Sequence, residues 1–503
     1  MQHRYLNSKT IFLLILFVGL IVRLLGIASR PIWYDEAFSI LFAEKGLSAM
    51  LYGTLAPTGA GTADIHPLGY YTLLWLWMGV FGESLVAARL PSIFAGLVSI
   101  CLIYLIAQEA LSDSETARLS MLFAALAPFQ IHYSQEIRMY SFLAMWLLLA
   151  TYAYQRASET KNWKLWLLFS IVAAFAQYTH NLAAFYLVTL ALLPLFQRDW
   201  KNFQAITCAG LGAIILYFPW MIQLPAQFAK VQQGYWVEQP DISRLLTLLI
   251  VYLTNTPLPN TWIIFALFIA LITVTIGVLQ TARFTRQTKL TGGIWAFYLA
   301  FAPPLLLFLF SQWKPVYIER ALLPSGAIFC IWLAWVLTST NLSKWVITFL
   351  IGLLVTASGM GIYQHVAYRD FPYGPFKELD AALRQRIDPQ DAIVHSNKMT
   401  FIPAMLYDPD LPQNFISDEA GSTSDTLARA TQEVLGIQAD TDIQSAVGNS
   451  KRVWYIMPKL SVEELQANRT TTDPQLDYLN AIYTLESQET WGPLQVYLFV
   501  RDQ

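Results

Sequence analysis

Two adjacent carboxylates, Asp35 and Glu36, follow the aromatic pair Trp33-Tyr34 just after the first long apolar run of the chain. Trp and Tyr favour the headgroup level of a bilayer, so the acidic pair is expected at a membrane-water boundary. Acidic residues in or beside a span are costly and mark function, although an isolated pair also suits a solvated loop. What else reaches the same boundary strengthens the functional reading: Asp64 and His66 within Asp64-Ile65-His66-Pro67, Arg89, Glu136 and Arg138, His180 beside Asn181, and Arg320 after Glu319. Guanidinium groups bind phosphate oxygens bidentately, and a nearby carboxylate suits a general base that takes a proton from an attacking hydroxyl. A phosphorylated lipid would place its headgroup at this depth and its tail between helices. The residues alone therefore suggest chemistry on a lipid phosphate. Each also has a plainer role: the arginines suit snorkelling or helix ends, Glu136 and Arg138 suit a mutual salt bridge, and His66 and His180 suit satisfied histidines.

The elements that must position these groups follow from composition. Of 503 residues, 55% are hydrophobic and only 13% charged, against about 25% charged in soluble domains. With apolar runs recurring for most of the chain, this describes a polytopic α-helical membrane protein. The net charge of −2 hides an asymmetry of about +7 over residues 1–362 and about −9 over 363–503, which marks a second domain and makes nucleic acid an unsuitable partner. Cys101, Cys208 and Cys330 all fall in apolar segments and have neither disulfide nor metal-ligand spacing. The N-terminal apolar run lacks a small-residue cleavage site and reads as a retained first helix.

The charge pattern sorts the spans by side. Residues 11–28 span, and residues 29–67 read as an outer loop carrying the acidic pair. Residues 68–81 are too short to cross and read as a surface or re-entrant helix. Spans follow over 90–107, 119–131, 141–154, 165–178, 182–196, 203–220, 262–280, 294–310, 321–336 and 345–362. A polar outer loop over 221–243 and a second surface helix over 245–252 interrupt them. Dense Lys/Arg clusters, including Arg283, Arg286 and Lys289, fall on the inner side, which gives about eleven spans. Residues 363–503 read as a small α/β domain outside the membrane. It has helices over 376–387 and 426–435 and strands over 392–395, 452–457 and 494–500. Its His395, and His365 just before it, read as structural, and Asn468-Arg469-Thr470 is a weak glycosylation match. Metalloprotease, P-loop, serine-hydrolase and dinucleotide motifs do not occur.

As an ordered set, Trp33-Tyr34-Asp35-Glu36, Asp64-Ile65-His66-Pro67-Leu68-Gly69-Tyr70-Tyr71, Ala88-Arg89-Leu90-Pro91-Ser92, the 133–140 stretch and Glu319-Arg320-Ala321-Leu322-Leu323-Pro324 resemble the GT-C membrane glycosyltransferases. The relevant branch is the family 39/83 group of protein O-mannosyltransferases and lipid A aminoarabinose transferases. The resemblance covers roughly residues 1–362 and departs from the family where its second proline is Leu68. It implies an inverting, metal-independent glycosyltransferase with no cofactor, moving a sugar from a polyprenyl-phosphate donor to a lipid, glycan or protein acceptor. Asp35 would be the general base with Glu36 beside it as the catalytic pair. Asp64, His66, Arg89, Glu136, Arg138, His180 and Arg320 form the candidate substrate-binding set. The expected location is the plasma (inner) membrane, with site and C-terminal domain on the extracytoplasmic side. The alternatives are a lipid-linked sugar transporter without covalent transfer, though no paired half-repeat is visible, and a non-catalytic scaffold.

Overall fold

The structure is a computed structural model and describes residues 8–58, 61–233, 236–285, 292–339, 342–417, 427–467 and 473–501. The sequon over 468–470 and the cations Arg286 and Lys289 lie outside the described residues.

Six described helices are long and apolar enough to cross a membrane: Leu85–Leu111, Trp200–Met221, Asn260–Phe284, Gly293–Ser311, Glu319–Ser339 and Lys344–Ala367. Shorter apolar helices, among them Ser8–Leu24, Trp163–Thr179 and Ala183–Phe196, pack with them. The chain is therefore an integral, mostly helical membrane protein. Burial separates the helices by position. The apolar window of Glu319–Ser339 is 94% buried, whereas that of Lys344–Ala367 is only 22% buried. A helix apolar all round belongs inside a bundle or against lipid, and these two take one place each. The central helix is held by a cluster of tilted and edge-to-face rings in which Phe329 and Trp332 meet Phe301, and Phe329 also meets Tyr252.

Three departures from the expected layout matter for the site. The first outer segment is not a loop: it folds into the helices Tyr34–Glu44 and Gly46–Leu55. The span expected over 119–131 is broken at Ala127-Pro128 into Ser114–Leu126 and Pro128–Ser134. Pro128 has no N–H to continue the first helix but suits the first turn of the second. Buried Arg23 stitches this break to the first helix, donating to the carbonyls of Gly19 (3.1 Å) and Ala125 (2.9 Å) and to Ser134 Oγ (3.2 Å). Arg89 lies one turn inside Leu85–Leu111 rather than at a span start.

After Ala367 the chain forms a five-stranded sheet in the order Gln413–Phe415, Asp391–His395, Arg452–Pro458, Leu494–Arg501, Tyr483–Trp491. The first three strands are parallel, and Leu494–Arg501 runs antiparallel to both of its neighbours. Asp391–His395 is buried throughout, as a strand covered on both faces must be. The expected helix and strands near 376, 392, 452 and 494 are present. The helix expected over 426–435 runs Arg429–Leu435; residue 426 lies outside the described set. Helices Lys398–Tyr407 and Arg429–Leu435 carry this unit onto the membrane bundle, packing on Tyr34–Glu44 and Gly46–Leu55. Gly53 makes the second contact close: a Cβ there would lie 3.2 Å from Val434 and 2.9 Å from Phe42, and its carbonyl accepts from Thr431 Oγ1 at 2.9 Å.

Candidate active site

Asp35 and Glu36 occupy the first turn of Tyr34–Glu44, where the partial positive charge of the helix N-terminus favours carboxylates. Consecutive helical residues point about 100° apart, so the two go to different places. Asp35 faces a cavity of about 480 Å³ that it shares with Trp33, Asp64, His66, Arg138 and Arg320. Arg320 Nη1 donates to Asp35 Oδ2 at 2.8 Å, and Arg138 Nε stands 3.7 Å from the same oxygen. Burial pushes the Asp35 carboxyl up, but the two guanidiniums outweigh it and hold the group below the usual carboxylate range. Arg138 is itself fixed by Tyr71 (3.1 Å) and Ser39 (3.3 Å). Arg320 lies 5.2 Å over the Tyr140 ring and 5.6 Å over that of Trp236.

Glu36 turns away from the cavity into the core. It receives Arg89 bidentately, at 3.1 and 3.0 Å, and the Ile137 amide at 3.1 Å. Both side chains of this ion pair are 0% exposed. Arg89 spends its remaining donor capacity on the carbonyls of Ile27 (2.7 Å) and Arg30 (3.0 Å). The expectation that Glu36 shares the catalytic role, and that Arg89 touches substrate, is therefore corrected. With no exposed surface and every charge answered, the pair braces the loop that presents Asp35. Glu136 is corrected in the same way. It does not pair with Arg138 but lies behind the site against His132 (3.2 Å) and Arg30 (3.5 Å). Burial raises its carboxyl above the ordinary range, with Arg30 opposing. Tyr373 joins this cluster through Arg30 and Glu136, and His365 through His132 at 3.1 Å.

Asp64 and His66 sit on the cavity rim as a pair. Asp64 Oδ1 accepts from the Ile65 amide at 2.6 Å and meets His66 Nδ1 at 3.0 Å. The ring proton on Nδ1 is thereby directed to Asp64, and Nε2 is the nitrogen left to act. Burial pushes the Asp64 carboxyl up, yet His66, Lys230 and the Ile65 amide bring it well below its usual value. This rim is docked on the helix Leu224–Gln233: Lys230 Nζ donates to the Ala63 carbonyl, and Gly61 approaches Ala226 so closely that a Cβ would lie 2.0 Å from its oxygen. His180 stands 5.8 Å from the His66 ring; its Nδ1 accepts from the Leu182 amide at 3.1 Å. Its Nε2 is buried with no partner among the described residues.

His66 also lines a second, apolar cavity of about 640 Å³ between the helices Trp163–Thr179, Ala183–Phe196, Trp200–Met221 and Leu224–Gln233. The site thus joins a charged chamber to an apolar groove at His66 and Ile318. Tyr71, which closes the motif beginning at Asp64 but carried no expected site role, also lines the chamber; sequence reasoning missed Lys230, and Asn397, Lys398 and Thr431, which the C-terminal unit contributes. Nothing local marks these four: Lys230 lies in what reads as a polar loop, and Asn397, Lys398 and Thr431 lie some 360 residues or more beyond Asp35 in the chain.

Residues 65–223 match the family described as dolichyl-phosphate-mannose-protein mannosyltransferase. Among curated proteins, the chain is similar to the undecaprenyl phosphate-alpha-4-amino-4-deoxy-L-arabinose arabinosyl transferase of Pseudomonas aeruginosa (strain UCBPP-PA14). The two are 26% identical over 239 residues, 46% of this chain and 42% of the relative. The match thus spans less than half the length of that relative. Among solved structures, ArnT from Cupriavidus metallidurans in the apo state aligns over 97% of both chains with a TM-score of 0.62 at 12% identity. The Archaeoglobus fulgidus oligosaccharyltransferase aligns over 100% of this chain and 75% of its own with a TM-score of 0.52 at 12% identity. At 12% identity these likenesses are ones of fold: the chain shares with both structures the architecture of a helical membrane bundle carrying a further unit.

Proposed function

We propose that the chain is an inverting glycosyltransferase that moves a sugar from a polyprenyl-phosphate donor to a hydroxyl- or amine-bearing lipid, glycan or protein acceptor. The reading is supported above all by one arrangement: Asp35, Arg138 and Arg320 share a charged chamber whose His66 rim opens on an apolar groove. An isoprenoid tail suits the groove, and its phosphate suits His66 Nε2, Arg138, Arg320 and Lys230. The relatives named for undecaprenyl phosphate-linked arabinose transfer support the same donor class.

In this mechanism the acceptor O–H or N–H gives its proton to Asp35 while its lone pair forms a bond to the anomeric carbon. The bond from that carbon to the phosphate oxygen breaks, and the electron pair leaves with polyprenyl phosphate. The leaving group already carries negative charge, so fixed cations stabilise it as the bond lengthens. Arg138 and Arg320 neutralise Asp35 and face the same chamber. A phosphate that shares them frees the carboxylate and raises its basicity toward the acceptor proton. Asp64 keeps His66 in one tautomer, and Glu36 with Arg89 holds the helix that aims Asp35. The orientation we assign puts this chamber and a domain of residues 363–503 outside the plasma (inner) membrane, with about eleven spans in residues 1–362.

The test is turnover of a polyprenyl-phosphate hexose by purified protein in membrane extract, read by mass spectrometry as released polyprenyl phosphate. Asp35→Asn is expected to slow turnover about 10²–10⁴-fold, the range of a positioned general base, while binding of undecaprenyl phosphate persists. Unimpaired turnover by Asp35→Asn contradicts the assignment.

A further inference from the structure

A third cavity, of about 380 Å³, adjoins the charged chamber and is used by neither the donor groove nor the catalytic acid. It shares Trp236, Ile318 and Arg320 with the charged chamber but does not touch His66. Its remaining wall carries two carboxylates, Glu238 and Glu319, with Arg244, Asn255, Thr256 and Tyr317. These are hydrogen-bonding groups of both polarities beside a flat indole, which suits a ligand with many hydroxyls and an apolar face. Two of them are otherwise unexplained. The Tyr317 hydroxyl is buried and has no partner among the described residues, and buried phenols ordinarily find one. Asn255 ends the helix Ile242–Thr254 at φ 61°, ψ 175°, a region essentially restricted to glycine. Its backbone is anchored there, the amide donating to the Val251 carbonyl at 3.0 Å and the carbonyl accepting from Thr254 Oγ1 at 3.2 Å. Asn255 is 6% exposed and lines the cavity, so this strained backbone sets an amide at the cavity wall.

Direction adds a second argument. Inversion brings the nucleophile in on the side opposite the leaving phosphate. The apolar groove meets the charged chamber at His66 and Ile318, whereas the polar cavity meets it at Arg320, Trp236 and Ile318. The two border each other at Ile318 and otherwise enter the chamber past different residues, His66 for the groove and Arg320 with Trp236 for the polar cavity. We propose that the cavity between Trp236, Asn255 and Tyr317 is the acceptor subsite and that it takes a saccharide. This rests on the glycosyltransferase reading above and deepens it: the acceptor is a glycan or glycolipid rather than a peptide.

The full-length protein in nanodiscs, loaded with undecaprenyl phosphate, is titrated with methyl glucoside, maltose and glucosamine, and binding is read by saturation-transfer NMR. At least one probe is expected to bind saturably. Asn255→Gly and Tyr317→Phe are each expected to weaken it about tenfold, the value of a well-placed hydrogen bond. Asn255→Gly is also expected to leave the thermal midpoint unchanged or raised, because glycine adopts that backbone without strain. Undecaprenyl phosphate affinity should be the same in all three proteins. No saturable binding by the wild type, or wild-type affinity in both variants, overturns the subsite. Failure of the wild type to bind undecaprenyl phosphate at all overturns the donor reading instead.

Discussion

Asp35 and Glu36 are neighbours in sequence with opposite fates, and the reason is the helical turn between them. From sequence the pair reads as one acidic unit, because nothing in it gives the phase of a helix in a segment that looks like a loop. Once Tyr34–Glu44 is helical, one carboxylate faces the chamber and the other the core. Substitutions should separate them. Glu36→Gln strips a fully buried guanidinium of its charge partner, and breaking such a pair costs about 3–5 kcal/mol. The expected outcome is loss of folded protein in detergent, read by size-exclusion chromatography and thermal unfolding, rather than a selective kinetic defect. Asp35→Asn should fold and fail in turnover. The pH dependence follows from the lowered Asp35 pKa. The group binds a proton more weakly folded than unfolded, so its contribution to stability is complete above about pH 4, the unfolded value, and is lost as pH falls through the folded one. Activity of the free enzyme should therefore show no acidic limb from Asp35 between about pH 5 and 7, measured as kcat/KM for the donor. An acidic limb in that range that disappears in Asp35→Asn contradicts this.

The elements were legible where an apolar run spans the bilayer unaided and illegible where contacts with another element make the structure. Long runs such as Lys344–Ala367 declare themselves by length. Tyr34–Glu44 and Gly46–Leu55 do not, because their helical state is stabilised by burial against Gly69–Phe81 and the C-terminal helices. The short helix Lys398–Tyr407 was missed for the same reason, and with it Lys398 on the chamber wall. Within Phe376–Arg386, Asp380 is 1% exposed with neither carboxyl oxygen partnered among the described residues. Burial, with Asp408 nearby, pushes it up to about 8. Folded protein then holds a proton that unfolded protein releases, so stability falls as pH rises from about 4 toward 8. Asp380→Asn removes that penalty, and its thermal midpoint should exceed the wild type's by a few degrees at pH 8, with the gap closing at pH 5. A gap that does not change with pH contradicts the protonated carboxyl.

At the scale of the whole molecule, the sequence points to two units, and the structure makes the second part of the first one's chamber. Asn397, Lys398, Leu427 and Thr431 line the cavity that holds Asp35, and Tyr373 reaches back to Arg30 behind it. Composition reveals the acidic second unit but not which face it turns to the membrane bundle. A chain ending at Ala367 should still insert but should lose donor turnover, read in the same mass-spectrometric assay; retained turnover would make the unit a bystander. In the proposed function the charged chamber and the apolar groove form one donor site, continuous past His66. Its most direct test is an experimental structure of the full-length protein with undecaprenyl phosphate. The phosphate is expected within hydrogen-bond reach of His66 and Arg320 on the Asp35 side, with the tail along Phe169, Ala173 and Ile214. A phosphate seated away from Arg320, or a tail outside the groove, would contradict it.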